Sequence, residues 1–303
     1  MRRPPLALAG LILLAGCAAA APSPEPAAPV DQELMSGWQL ARYAFEERQY
    51  DQAAQVYARV LERAYARDDL GAIGDVGYEL AVVRLRQLDP AAAAAQARQT
   101  RDELRRRGDE PFAELYLVEA VALYEMGEEV DAGARADRAI ALASRPREPV
   151  AMRAWFLKGR IAADHGDAGG ISQAIAALGR SPNPELAADR LELSGRLALL
   201  EGRPERALTT FRDSADLRRD AGDYLGMARV LALAGEAAER AGLSTDAADL
   251  YFRAGRSAEV ERDLGNARRW LGAAARLATT TGQAAILAEA NDRLESLAEA
   301  EGR

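Results

Sequence analysis

The chain has 303 residues, 28% of them charged, with 39 basic residues against 47 acidic ones and a formal charge of −8. That balance argues against general nucleic-acid binding and against a broad electrostatic hold on anionic lipid. A single cysteine, Cys17, leaves no disulfide framework and no cysteine-based metal site.

The first segment reads in three parts. Arg2 and Arg3 give a positive start, Leu6 to Ala15 is apolar, and Leu14-Ala15-Gly16-Cys17 closes it. The apolar run is about ten residues, against the roughly 20 that a helix needs to cross a hydrocarbon core. A short apolar run behind positive charge, ending in small residues, predicts a secretory signal over residues 1–16. Ala18 to Ala21 also supply an ordinary Ala-x-Ala-like cleavage site, so simple secretion is the plainer alternative. The Leu-Ala-Gly-Cys order resembles the lipobox of bacterial lipoproteins. That resemblance implies that Cys17 becomes the mature N-terminus, with a diacylglyceryl group on sulfur and an acyl chain such as palmitate on its amine. Two or more such chains anchor stably where one does not. Ala18, in place of the Asp that retains lipoproteins in the inner membrane, implies an outer-membrane address facing the periplasm. Loss of Arg2 and Arg3 leaves 37 basic residues against 47 acidic, or −10.

Residues 17–30 follow as a linker. Ala18 to Val30 reads AAAAPSPEPAAPV, without helical periodicity. An extended Pro-rich spacer rises about 3.1 Å per residue, so this one spans up to roughly 40 Å. A disordered tail of no special length is equally compatible.

Residues 31–303 carry a repeat. Gly127, Gly166, Gly202, Gly242 and Gly282 recur every 36 to 40 residues. Each stands where a helical pattern stops, and glycine adopts the left-handed C-terminal conformation readily. Seven residues before each lies a small residue: Ala120, Gly159, Gly195, Gly235 and Ala275. The register extends back to Ala81 and Ala41. Five residues after the glycines come Ala132, Ile171, Ala207, Ala247 and Leu287, with Ala53 and Ala93 as earlier equivalents. Four further on come Tyr57, Ala97, Ala136, Ile175, Phe211, Tyr251 and Asn291. This i, i+4 spacing predicts one buried face on a second helix. Only Asn291 breaks the apolar rule, in the last repeat, where a capping helix shows a polar face. Asp89-Pro90 and Arg203-Pro204 place proline at the start of second helices, Pro149 and Pro184 at the start of first helices. Ser244-Thr245-Asp246 offers N-cap side chains. The pattern predicts about fourteen helices and no strand. Breaks are expected at Ser144–Pro149 and Gly179–Pro184, the second after a short helix near Ala168–Leu178.

These repeats resemble the tetratricopeptide family, most clearly over Gly195 to Phe211 and Gly235 to Tyr251, and in Trp155 with Gly159. The period is about 39 residues, against about 34 for the standard repeat, and the family's proline after the second helix is mostly missing. The resemblance implies an all-α, right-handed α-solenoid of about seven hairpins, whose first helices form a concave groove. Projecting the register gives that groove two halves. Trp38, Phe45, Tyr78, Val82, Leu85, Leu117, Val121, Tyr124 and Phe156 form an apolar first half. Arg160, Arg196, Arg229, Arg240, Arg269 and Arg276, with Glu236 and Glu239, form the second. The first half would take apolar side chains, and the second acidic groups or a C-terminal carboxylate. The alternative is that the aromatics pack between helices and the arginines are merely solvated.

No catalytic cluster stands out, and no cofactor is implied. His165, the lone histidine, sits in Asp164-His165-Gly166-Asp167, a helix terminator and a poor zinc site. Gly166–Gly170 lacks the Gly-Lys-Ser/Thr of a phosphate loop. The expectation is therefore a non-enzymatic, membrane-anchored scaffold of the cell envelope, without nucleic acid. It would gather partner proteins or peptides for envelope assembly, cell-wall work or a secretion or pilus complex. The other class is a lipid-anchored periplasmic binding component for a small ligand or cell-wall fragment.

Overall fold

The computed structural model describes residues 31–301. The signal segment 1–16, Cys17 and the linker 17–30 lie outside the described residues.

Seven helical hairpins follow one another. They are α1 (Gln32–Glu46) with α2 (Tyr50–Ala66), α3 (Leu70–Arg86) with α4 (Pro90–Arg106), and α5 (Ala113–Glu125) with α6 (Glu129–Leu142). Then come α7 (Pro149–Asp164) with α8 (Ala168–Leu178), α9 (Pro184–Leu200) with α10 (Pro204–Asp220), α11 (Tyr224–Arg240) with α12 (Ser244–Val260), and α13 (Leu264–Thr281) with α14 (Ala284–Glu301). No strand occurs among the described residues. Each helix packs on its chain neighbours, and first helices α3, α5, α7 and α9 also pack one on the next. The result is an α-solenoid of the tetratricopeptide-like kind.

Most of the turns share one design. A residue in the left-handed region ends a helix, and the next residue is the N-cap of the following helix. Gly127 (φ 78) precedes Glu128 in this way, and Gly166 (φ 68) precedes Asp167. The N-cap N–H reaches back five residues, as Glu128 N to Leu123 O at 2.9 Å, satisfying a carbonyl the helix end leaves open. The five expected glycines all have positive φ, but Arg48, Asp68, Leu88 and Arg262 hold equivalent turn positions without the freedom of glycine. The same geometry corrects the Ser244 expectation. Gly242 takes the left-handed conformation, so the N-cap falls on Leu243, which offers no capping side chain; Ser244 begins α12. Aspartate supplies the cap elsewhere, as at Asp69, Asp89, Asp167, Asp223 and Asp263.

Close approach is built on the small register. A Cβ on Gly195 would stand 2.5 Å from the Phe211 ring, and one on Gly159 2.5 Å from Leu193. Phe211, Ala207, Ala41, Ala81 and Ala120 are fully buried. Asn291 is exposed on α14, whose polar outer face closes the stack. Irregular connections fall at the two expected breaks. α8, with 11 residues, is the shortest described helix.

Candidate partner-binding groove

Three residues before the small position, the first helices of the first five hairpins carry Trp38, Tyr78, Leu117, Phe156 and Glu192. These side chains are half-buried except Glu192, which is fully buried. One helical turn further lie Arg42, Val82, Val121, Arg160 and Arg196. Together they line one face of the stack, and its two ends differ.

At the N-terminal end, Phe45, Tyr78 and Val82 meet with Arg42, Glu46, Tyr57 and Glu79 around a depression of about 220 Å³. Glu79 organises it. Its carboxylate accepts from the Trp38 indole N–H at 2.5 Å and pairs with Arg42 at 2.6 Å, and the Arg42 guanidinium lies 4.8 Å over the Trp38 ring. Burial, with Glu79 alongside, pushes the Tyr57 hydroxyl well above the ordinary phenol range. Tyr78 meets Phe112 edge-on at 5.9 Å, and Phe45 packs on Tyr50 at 5.6 Å. Trp38, Phe45 and Tyr78 thus share one neighbourhood.

Tyr124 and Phe156, expected with this apolar half, belong instead to the arginine half. Arg160 lies 4.3 Å over the Tyr124 ring, and the Tyr124 hydroxyl donates to Asp164 at 2.5 Å. Phe156 faces the Arg218 guanidinium at 5.7 Å. Aromatic faces attract desolvated guanidinium groups, which accounts for the regrouping.

Nor are the arginines simply solvated. They surround Glu192 on α9. Arg218 reaches it at 2.8 Å, Arg196 at 3.2 Å and Arg229 at 4.0 Å. Arg218 also holds Asp189 and Asp223, each at 2.7 Å. Arg196 pairs with Asp164 at 3.5 Å and Arg160 with Glu125 at 3.3 Å. Burial alone would raise the Glu192 carboxyl. The guanidiniums of Arg229, Arg218, Arg196 and Arg160 outweigh it and hold the group at about 2. Burial dominates at Asp189, which rises to about 6 although Arg218 opposes the shift. Burial also lowers Arg229, with Arg160 adding like-charge repulsion. The Arg229 Nε makes no hydrogen bond, and its nearest carboxylate is the distant Glu192. Arg276 pairs with Glu239 at 2.9 Å and Arg240 with Glu236 at 2.5 Å.

Arg218 stands on α10, a second helix, so projection of first helices could not reveal it. Glu192 did leave a signal, as the one carboxylate in a register that is aromatic or apolar in the four preceding repeats. A second buried acid, Glu119, sits between second helices, with Arg101 from α4 and Arg135 from α6 at 3.2 Å. His165 caps α7 and pairs with Glu129 at 2.6 Å, with its side chain 65% exposed. Among the described residues no group of His, Cys, Asp and Glu is placed to hold a metal, and no helix is long and apolar enough to cross a membrane.

No family model matches the chain. No curated protein matches it either. Solved structures do. The apo quorum sensor NprR from B. thuringiensis superposes with a TM-score of 0.59 at 14% identity, covering 91% of this chain and 85% of that one. The Rap conjugation gene regulator of plasmid pLS20, in complex with the Phr* peptide, gives 0.53 at 14% identity, over 82% and 75% of the two chains. PilW, a widely conserved type IV pilus biogenesis factor, gives 0.50 at 19% identity, over 73% and 92%. At these identities the likeness is one of fold.

Proposed function

We propose that this protein is a lipid-anchored interaction scaffold of the bacterial cell envelope, which holds an extended or helical segment of a partner protein in its concave groove. The observation that carries the proposal is the clustering of Phe45, Tyr78 and Val82 at one end of a face whose other end is built from Arg160, Arg196, Arg218 and Arg229. An apolar depression takes a side-chain anchor, and of the four guanidiniums Arg229, 29% exposed and without a close carboxylate, is the one left to orient an acidic group. The fold shared with a peptide-bound regulator and with a pilus biogenesis factor supports the reading. No catalytic role is assigned to any residue.

The depression also bears on the small-ligand alternative. Pockets that enclose small molecules run to about 300–1,000 Å³, whereas this one offers about 220 Å³. It suits one inserted side chain of a larger partner.

Lipid attachment is tested at Cys17. Cys17→Ser should abolish lipid-dependent processing and release the protein from the membrane fraction; unchanged processing and fractionation would refute the anchor. For the groove, Phe45→Ala with Tyr78→Ala should weaken partner capture at least tenfold, about the effect of removing one good apolar anchor. Unchanged capture by the folded double variant would locate the binding surface elsewhere.

A further inference from the structure

Substantial helix packing in this solenoid runs only between helices one or two apart in the chain. Among the described residues, one side chain departs from that order. Arg48, in the turn between α1 and α2, reaches across 213 positions to pair with Glu261 at 2.7 Å. The same guanidinium donates to the Gly222 carbonyl at 2.8 Å and lies 4.8 Å over the Tyr224 ring. Glu261 closes α12, and Gly222 and Tyr224 lie where α10 passes to α11.

The partners locate the contact in the ribbon. Arg48 belongs to a turn within a hairpin, whereas Gly222 and Glu261 belong to turns between hairpins. These turns lie on opposite edges of a stack of antiparallel hairpins. An edge-to-edge contact between the first repeat and the fifth and sixth means that the ribbon has coiled once upon itself. The groove is therefore walled across this seam, and the aromatic depression beside Phe45 and Glu46 sits next to it.

Arg48 is also unusual for its position. Five of the seven within-hairpin turns carry glycine at this left-handed site; Arg48 occupies it with φ 59. The turn itself does not call for arginine, which is disfavoured there relative to glycine. The contacts across the seam supply the reason for it.

We infer that Arg48 is a clasp that closes the first coil of the solenoid, and that its release widens lateral access to the concave groove. The inference rests on the groove being the partner site, but the clasp is testable without any partner. An ion pair whose arginine side chain is 43% exposed is a reversible tie.

The test is a distance measured by paired spin labels on the purified full-length chain, with Cys17→Ser, Glu47→Cys and Asp220→Cys placing one label on each side of the seam. The parent should give a narrow, short distance. Arg48→Gly restores the residue that most other repeats use, so the fold should persist with an unchanged or raised thermal midpoint. The narrow peak should nonetheless give way to a longer, broader distribution. Glu261→Gln, outside the strained turn, should shift the distribution in the same direction. A narrow peak unchanged in both variants overturns the clasp. Because the readout contains no partner, this result is separable from success or failure of partner capture.

Discussion

Glu192 is the residue on which the arginine half depends. It is fully buried, and four guanidiniums face it. Removing one member of a buried charge network leaves the others uncompensated, at a cost of about 3–5 kcal/mol. Glu192→Gln should lower stability by that order, read as a shift in the denaturant midpoint. The pH dependence follows from the direction of its shift. Its folded value, about 2, lies below the ordinary 4.5, so the folded state binds this proton less tightly than the unfolded one. Its contribution is complete above about pH 4.5 and is lost as pH falls toward 2. Asp189 acts oppositely. Raised from 3.8 to about 6, it favours the folded state when protonated, and that contribution is lost as pH rises through this window. Asp189→Asn should therefore flatten the decline between pH 4 and 6 while leaving the acid limb below pH 4. The same network limits how the groove can be probed. Arg196→Glu would set a second carboxylate against Glu192 and unsettle the fold, and reversal at Arg229, whose guanidinium also holds the Glu192 carboxyl down, carries the same kind of cost. The sequence placed Arg160, Arg196 and Arg229 on a common face by register alone. It did not show that they share one buried acid, because Arg218, which completes the set, comes from a second helix.

At the scale of elements, turn geometry decides where each helix begins. In the short turns the left-handed residue fixes the N-cap one position later whatever its side chain, which is why Leu243 rather than Ser244 caps α12. Propensity rules weigh side chains one at a time, so they favour the serine. Five of the left-handed positions were legible from glycine spacing. Leu88 was not, because leucine there carries no turn signal. Leu88→Gly should stabilise the protein by about 1 kcal/mol by relieving left-handed strain, visible as a raised denaturant midpoint at constant slope. The small register predicts the opposite effect. Gly195→Ala puts a Cβ 2.5 Å from Phe211 and should destabilise the protein by about 1–3 kcal/mol. Phe211→Leu in the same chain should recover part of that loss, since the ring is what the methyl meets. Equal losses in the single and double variants would mean that the clash lies elsewhere.

For the whole molecule, a repeat of 36 to 40 residues specified seven hairpins before any contact was known. Periodicity encodes which faces are buried, and burial of one hairpin against the next generates the stack. The coiling of that stack is a different matter. It accumulates from small rotations per repeat, modified at the short α8 and at the irregular connections flanking α7 and α8. No local pattern announces that Arg48 meets Glu261. If the proposed lipid anchor holds, tethering would raise the effective concentration of the groove near proteins of the same membrane, so that modest contacts suffice for capture.

Capture of a protein by the proposed concave face is tested by photo-crosslinking in the cell. A crosslinking residue would replace Phe45, Tyr78 or Arg42 in the groove, with Val130 as the control, exposed on the second helix α6 at 89%. Protein adducts of common mass are expected from the three groove positions and none from Val130. The absence of protein adducts from the groove, or equal adducts from Val130, would refute capture by this face.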